Sequence, residues 1–344
     1  MAGECVTVAL RFRDGVEERI DVAADETVLA AAIRMDLPLV HQCESGSCGT
    51  CVARLVSGET ITTPGSVVAL MPSEIESGYR LTCSSRVNQN AVLEFDYPRT
   101  LLNGSVSRAV EARVNSLDWV SRTVMRLDID LSELADFSFD PGQYVRIRVP
   151  GTDAWRSYSM ASIEKDLPRV RFLIRYLAGG IMSEWLRSDC AAGCEIEIEG
   201  PLGSFGIAAT GGPHLMIAGG AGLSPVLAML DGLRASPGPK PPVLLCFGCN
   251  TGNDLFYEDE LELRAFWMPT LTTRLAVMED SSPGSSATIG TAVSLIKDAD
   301  LQADNLTAYV CGPPAMVEAT RARLIDGGVA PERIRSEQFR PNNI

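Results

Sequence analysis

Apolar and polar positions alternate with a period of two from Cys5 to Phe12 and again over residues 16–22, with Arg13-Asp14-Gly15 between them. That pattern predicts two strands joined by a tight turn. Asp25-Glu26-Thr27 supplies capping side chains ahead of Val28 to Met35, where a helix is expected. Three cysteines then sit among Gly and Ser between Leu39 and Gly58, and strand-like segments resume to end at Val92 to Asp96. Pro98, Asn103 and Gly104 interrupt the pattern and mark a boundary. Short β segments follow at 112–115, 123–129, 143–149, 170–176 and 195–199, separated by Pro and Gly turns. They predict a small antiparallel β-barrel, with one helix near Met182 to Leu186. From His214 the period changes again: apolar strands at 215–218, 243–247, 271–277 and 308–311 alternate with helices from Pro225, Tyr257 and Ala315. This alternation predicts a parallel sheet covered on both faces. The polar run from Asp280 to Ser286 is expected to be a mobile surface loop. The segments divide the chain into domains at 1–98, 104–208 and 210–344, in keeping with about 100–200 residues per domain.

Composition narrows the function. Hydrophobic residues at 46% and charged residues at 22% describe a globular protein with real cores. A net charge of −14 argues against nucleic acid and anionic membranes as partners. Half of that excess lies in residues 1–98, where 7 Arg and no Lys face 14 acids for a net of −7, so a basic protein is the better candidate for that region. No apolar run is long enough to span a bilayer and no signal peptide is evident, so a cytoplasmic location is expected. His41 and His214 are the only histidines, which leaves no material for multi-imidazole metal sites or histidine-based hydrolysis.

Cysteine spacing supplies the sharpest signal. Cys43, Cys48 and Cys51 form C-x4-C-x2-C, with Cys83 following, the spacing of a plant-type [2Fe-2S] site. Two ferric ions bridged by sulfides each need two further soft anionic ligands, and four thiolates meet that need. Ser45, Gly46, Ser47 and Gly49 let the backbone wrap around the cluster and aim N–H groups at sulfur. Zinc is the alternative, but structural zinc sites favour paired C-x2-C knuckles, and only one such pair lies within the four. Cys246 and Cys249 also make a C-x2-C, yet Cys246 lies inside an apolar strand and both are read as core, as are Cys5, Cys190 and Cys194. His41 alone cannot make a Rieske centre, which needs two histidines.

Two more motifs point to nucleotides. Arg156-Ser157-Tyr158-Ser159 ends a strand, and Gly179-Gly180-Ile-Met-Ser183 opens a helix. Together they offer an arginine for phosphate, an aromatic face, a hydroxyl, and glycine-to-helix amides for pyrophosphate, which is what a flavin dinucleotide needs. Gly219-Gly-Ala-Gly-Leu-Ser-Pro225 links a strand to a helix, and Cys311-Gly312-Pro313-Pro314 ends a later strand of the same sheet, where ligands of such sheets bind. Cys311 also admits the reading of a plain buried strand residue.

With these motifs in hand the chain resembles the flavin- and iron-sulfur-dependent reductases of the ferredoxin-NADP reductase superfamily that carry a plant-type ferredoxin domain at the N-terminus, over essentially all its length. The resemblance implies a β-grasp ferredoxin domain, an antiparallel β-barrel flavin domain and a parallel-sheet α/β nucleotide-binding domain. It implies that Arg156, Ser157, Tyr158 and Ser159 bind FAD and its ring, and that Gly180, Met182 and Ser183 hold its pyrophosphate. Gly219, Gly220, Gly222 and Pro225 would serve NADH, with Cys311 and Gly312 near the reactive ring and Phe339 of Glu337-Gln-Phe339 beside the flavin. Ser159, Cys311 and Phe339 are then the expected catalytic residues. Trp119-Val-Ser, Pro150-Gly-Thr-Asp153, Gly200 to Gly206, Asn250-Thr251 and Asp254 to Tyr257 look most like reductases of soluble methane and alkene monooxygenases. Reductases of benzoate-type ring-hydroxylating dioxygenases come second. Two positions depart from the pattern: Ala221 replaces a usual threonine, and Glu44 stands where many relatives have arginine.

A nicotinamide gives up two electrons as hydride whereas a [2Fe-2S] cluster accepts one, so a flavin must stand between them. The chain order is therefore the electron order reversed, ending on an oxygenase component that is expected to be a diiron protein, served by a monomeric reductase. Residues 241–263 contain no Arg or Lys and carry Asp254, Glu258, Asp259, Glu260 and Glu262, which would repel a 2′-phosphate and favours NADH. A ferredoxin-like carrier or sensor fused to a flavin fold without turnover is the competing class.

Overall fold

The computed structural model describes residues 6–41, 46, 49–63, 70, 72–102, 109–132, 137–208, 211–279 and 286–339. Cys43, Cys48, Glu44 and the polar run at 280–285 lie outside them. The chain forms two compact units, Met1–Arg108 with Leu202–Ser204, and Ala109–Pro201 with Phe205–Ile344.

In the first unit the predicted hairpin is β1 (Val6–Arg11) and β2 (Glu17–Val22), followed by α1 (Val28–Arg34). Then come β3 (Val52–Ser57), β4 (Thr60–Thr62), α2 (Pro72–Glu76), β5 (Tyr79–Leu81), β6 (Ser85–Val87) and β7 (Ala91–Glu94). Five strands make a mixed sheet in the order β2-β1-β7-β3-β5, and β4 pairs with β6. Alternation decides which face is covered: Val8, Leu10, Ile20, Val22 and Leu93 point into one core with Val28, Leu29, Ala31 and Ala32 of α1. Arg11 and Glu17 face outward and pair across the hairpin at 3.0 Å. The Thr27 hydroxyl accepts the Ala30 N–H at 3.2 Å and so starts α1 where the sequence predicted. Phe12, Phe95 and Tyr97 close the core, the two phenyl rings stacked 5.3 Å apart.

The second unit begins with an antiparallel sheet: β8 (Ala109–Trp119), β9 (Val124–Leu131), β10 (Tyr144–Arg148), β11 (Trp155–Ser159), β12 (Arg169–Arg175) and β13 (Glu195–Leu202), with α3 (Ile181–Ser188) between the last two. Its order is β11-β10-β13-β8-β9-β12. The two end strands meet at a single bridge, Met160 to Phe172, where the Ala161 N–H donates to the Arg171 carbonyl at 2.7 Å. Cross-strand partners Asp128 and Arg171 form a bidentate pair at 2.8 and 3.0 Å, which satisfies a carboxylate that is almost wholly buried.

The remaining elements are β14 (His214–Gly219), α4 (Leu223–Ala235), β15 (Val243–Thr251), α5 (Glu258–Trp267), β16 (Leu271–Glu279), β17 (Thr288–Ile289), β18 (Thr307–Gly312), α6 (Pro314–Asp326) and β19 (Ile334–Gln338). The strands form an all-parallel sheet in the order β17-β16-β15-β14-β18-β19. Both of its faces are covered. Met216, Ala218, Leu245 and Phe247 pack with α4 and α5, while Leu215, Ile217, Cys246 and Val310 pack with α6. That is why β14 and β18 are buried at every position and read as continuous apolar runs. α4 starts at Leu223, earlier than the sequence suggested, because Pro225 falls in the first turn, where a missing N–H costs nothing. The core on that face also takes in Val124, Ala161 and Leu173 of the antiparallel sheet, so the two sheets of this unit share packing.

Leu93 is fully buried at the centre of the first unit. Leu93→Ala should destabilise that unit by about 2–5 kcal/mol. In urea the loss of cluster absorbance should move to lower denaturant. All 4 tryptophans lie in the second unit, so their fluorescence transition should not move with it.

Candidate functional site

The parallel sheet presents the ends of two adjacent strands at one point. β14 runs into Gly219 to Gly222 and β18 into Cys311-Gly312, and the backbones there are in contact. A Cβ on Gly222 would stand 2.2 Å from the Cys311 carbonyl oxygen, and one on Gly219 would stand 2.6 Å from the Met316 sulfur. Gly220 differs: its φ is +53° and nothing lies within 4 Å of where its Cβ would be, so it faces open space. A 3-10 turn over Gly220–Gly222 leads straight into α4, and the Leu223 N–H is turned back onto the Gly220 and Ala221 carbonyls.

Three side chains from distant parts of the chain converge beside this point. The Ser159 hydroxyl, at the end of β11, donates to Glu337 Oε2 at 3.1 Å, and the Cys311 thiol lies 4.0 Å from the same oxygen. β18 and β19 set Cys311 opposite Glu337 in register. Ser224, in the first turn of α4, donates its hydroxyl to the Ser159 carbonyl at 2.7 Å. All four residues are buried, so their polar groups depend on one another. Burial pushes the Glu337 carboxyl up to about 7, against the smaller opposing effect of the Ser159 hydroxyl, and burial with that carboxyl nearby holds Cys311 well above an ordinary thiol. Phe339 extends the same strand, and its N–H donates to the Gly312 carbonyl at 2.9 Å.

The other sequence-predicted residues of this unit lie along β11 and at the start of α3. Arg156, Ser157 and Tyr158 occupy consecutive positions of β11 beside β10. Gly180 is the N-cap of α3 with no side-chain cap, and Met182 and Ser183 are buried in its first turn. The Ser183 hydroxyl accepts the Leu177 N–H at 3.0 Å, which leaves its own proton free to donate. Amides without a side-chain cap and a hydroxyl make a donor set that suits a pyrophosphate. Asp254, from the acid-rich segment, spends its carboxylate on the hydroxyls of Thr251 at 2.8 Å and Thr123 at 3.2 Å.

In the first unit Cys51 and Cys83 are both buried. They are held at one end of the sheet because the Thr82 N–H and hydroxyl both donate to the Cys51 carbonyl, at 2.9 and 3.2 Å. Gly46 and Gly49 have φ of +78°, the conformation a tight loop around a cluster demands. Cys246 and Cys249 are buried with thiols pushed up to about 12, in keeping with a packing role.

Sequence reading picked Ser159 and Cys311 but passed over Glu337 as a side chain and Ser224 altogether. Two signals were present: a carboxylate in an otherwise unremarkable terminal strand, and a hydroxyl in the first turn of an apolar helix.

Comparison with known proteins agrees with this layout. Family profiles match three segments: residues 12–88 as a 2Fe-2S iron-sulfur cluster binding domain, 111–207 as an oxidoreductase FAD-binding domain and 216–322 as an oxidoreductase NAD-binding domain. The anthranilate 1,2-dioxygenase electron transfer component of Acinetobacter baylyi is 34% identical over 338 residues, covering 98% of both chains. Methane monooxygenase component C of Methylosinus trichosporium is 36% identical over 278 residues, covering 79% of this chain and 80% of that one. Among solved structures, a cytochrome P450 reductase from Amycolatopsis superposes with a TM-score of 0.73 at 28% identity, over 97% of this chain and 99% of that one.

The buried carboxyl makes a testable demand on stability. With its folded pKa raised to about 7 from an ordinary 4.5, Glu337 keeps a proton that the unfolded chain releases in between. Stability should therefore fall as pH rises from about 4.5 to 7 and level off above. Glu337→Gln should remove this slope. The wild-type minus variant difference in unfolding free energy should drop by roughly 2–4 kcal/mol across that window, and parallel curves would refute the assignment.

Proposed function

The chain belongs to the flavin- and iron-sulfur-dependent reductases of the ferredoxin-NADP reductase superfamily that carry an N-terminal ferredoxin domain, and on that footing we propose that it serves the oxygenase component of a methane- or alkene-type monooxygenase. It is an electron-transfer reductase with NAD, FAD and [2Fe-2S] domains, to which we assign residues 210–344, 104–208 and 1–98. Bound there, FAD would accept hydride from NADH and release electrons singly to the [2Fe-2S] cluster.

The observation that carries this reading is the convergence of Ser159, Cys311 and Glu337 where the end of β11 meets the parallel sheet. Gly219, Gly220, Gly222 and Pro225 hold the dinucleotide of NADH, and the close approach at Gly222 leads it toward Cys311 and Gly312. Ser159 offers a hydroxyl to the flavin ring, Arg156, Ser157 and Tyr158 line its site, and Phe339 covers it. Gly180, Met182 and Ser183 hold the pyrophosphate. Burial raises the Glu337 carboxyl to about 7, so that it can carry a proton beside Cys311 in the dry site. Cys43, Cys48, Cys51 and Cys83 ligate the cluster. The acids at the start of α5 keep a 2′-phosphate away, which favours NADH.

A diiron hydroxylase is the partner that the segments Trp119 to Ser121 and Asp254 to Tyr257 favour. The end-to-end match with the Acinetobacter relative favours a second reading, a ring-hydroxylating dioxygenase. Reconstitution of turnover with a diiron hydroxylase and with a Rieske oxygenase, side by side, distinguishes the two. A sensor without turnover would not bleach when NADH is added.

Cys48→Ala should abolish reduction of one-electron protein acceptors while NADH still reduces the flavin. A folded, FAD-containing variant that lost both would overturn the order of carriers. The net charge of −7 on residues 1–98 leads to a second expectation. Electron delivery to the hydroxylase should slow as the screening length falls from about 10 Å at 0.1 M salt toward about 3 Å at 1 M, while stopped-flow flavin reduction by NADH changes little. Equal sensitivity of both steps would mean the acidic excess does not steer docking.

A further inference from the structure

The loop between β12 and α3 is held by a side chain that neither the motifs nor the site explain. Glu184 lies in the first turn of α3, half-exposed, and both its carboxylate oxygens are engaged. Oε1 accepts the Tyr176 hydroxyl at 2.8 Å and the Gly179 N–H at 3.1 Å. Oε2 accepts two N–H groups of Arg187, at 2.7 and 3.0 Å. Arg187 and the Tyr176 hydroxyl, with the Gly179 N–H, pull the carboxyl down to about 2, so it is ionised at any working pH.

The effect falls on the backbone that follows. Gly179 has a φ of +76°, and the Gly180 N–H closes a turn onto the Leu177 carbonyl at 2.9 Å. With Gly179 tied to Glu184, that turn is fixed one residue before the uncapped amides of α3. Tyr176 is anchored on its other side by Trp119, whose ring meets its own edge-on at 5.6 Å. A carboxylate this close to an anion site is unfavourable by itself, and Arg187 offsets it with two N–H groups on Oε2.

We propose that Glu184 is a positioning residue that gives the chain its preference for a dinucleotide flavin over one lacking phosphate. It acts through the Tyr176 to Gly180 loop and touches no cofactor atom. The inference rests on the assignment of Gly180, Met182 and Ser183 to the pyrophosphate made above.

The test titrates deflavinated full-length protein with FAD and with riboflavin, read by quenching of flavin fluorescence. Glu184→Ala should weaken FAD about tenfold and leave riboflavin within about twofold. Glu184→Gln, which keeps an acceptor for Tyr176 and Gly179 and loses only the ion pair, should recover most of the loss. Unchanged FAD affinity in Glu184→Ala, or an equal loss for both flavins, overturns the proposal. If Glu184→Ala does not fold, Tyr176→Phe decides: about threefold weaker FAD with unchanged riboflavin supports it, and unchanged FAD overturns it. Ser183→Ala separates the two levels. Should that variant bind FAD as the wild type does, the pyrophosphate assignment falls and takes this inference with it. Should it weaken FAD while Glu184→Ala does not, the clamp alone is wrong.

Discussion

Everything at the redox site depends on how closely two backbones approach. Gly222 lies so near the Cys311 carbonyl that a single methyl group would force the end of β14 away from the end of β18. That approach sets the first turn of α4 where Ser224 can reach the Ser159 carbonyl, and it keeps Cys311 level with Glu337. Through Ser224 that short contact links the parallel sheet to the antiparallel one at the site proposed for the flavin and the nicotinamide. Packing shared by Val124, Ala161, Leu173 and α4 makes the arrangement stiff, because densely packed interiors do not deform gradually.

The polar groups around that contact form a closed set. Ser159 gives its hydroxyl to Glu337 and receives the Ser224 hydroxyl on its carbonyl, so neither of its polar ends is left wanting. The carboxyl is tolerated in a dry interior by holding a proton rather than by pairing with a cation, in contrast with Asp128, which lies buried and ionically paired to Arg171. The chain uses both solutions to the same problem within one unit.

What was legible in the sequence was whatever is local. The spacing of Cys43, Cys48 and Cys51, the glycines from 219 to 222, the capping by Thr27 and the switch from alternating to continuous apolar strands all depend on neighbours within a few residues. The pairing of Ser159 with Glu337 was hidden because 178 residues separate them and they lie on different sheets, β11 in one and β19 in the other. β19 itself, Ile-Arg-Ser-Glu-Gln, carries no apolar run to announce a strand. Asp254 was read by its charge, yet the structure engages it with two threonine hydroxyls, one from the β8–β9 turn, which no local pattern could reveal.

That separation along the chain also sets an order of assembly during synthesis. At about 5–20 residues per second, Glu337 leaves the ribosome roughly 10–35 s after Ser159, and later still than the four cysteines. A nascent chain can therefore hold all four cysteines, and even the strand that carries Ser159, long before the Glu337 carboxyl and the Cys311 thiol come together. The electron-accepting end is built first and the electron-admitting end last, so an unfinished chain carries the wiring without the switch that would energise it.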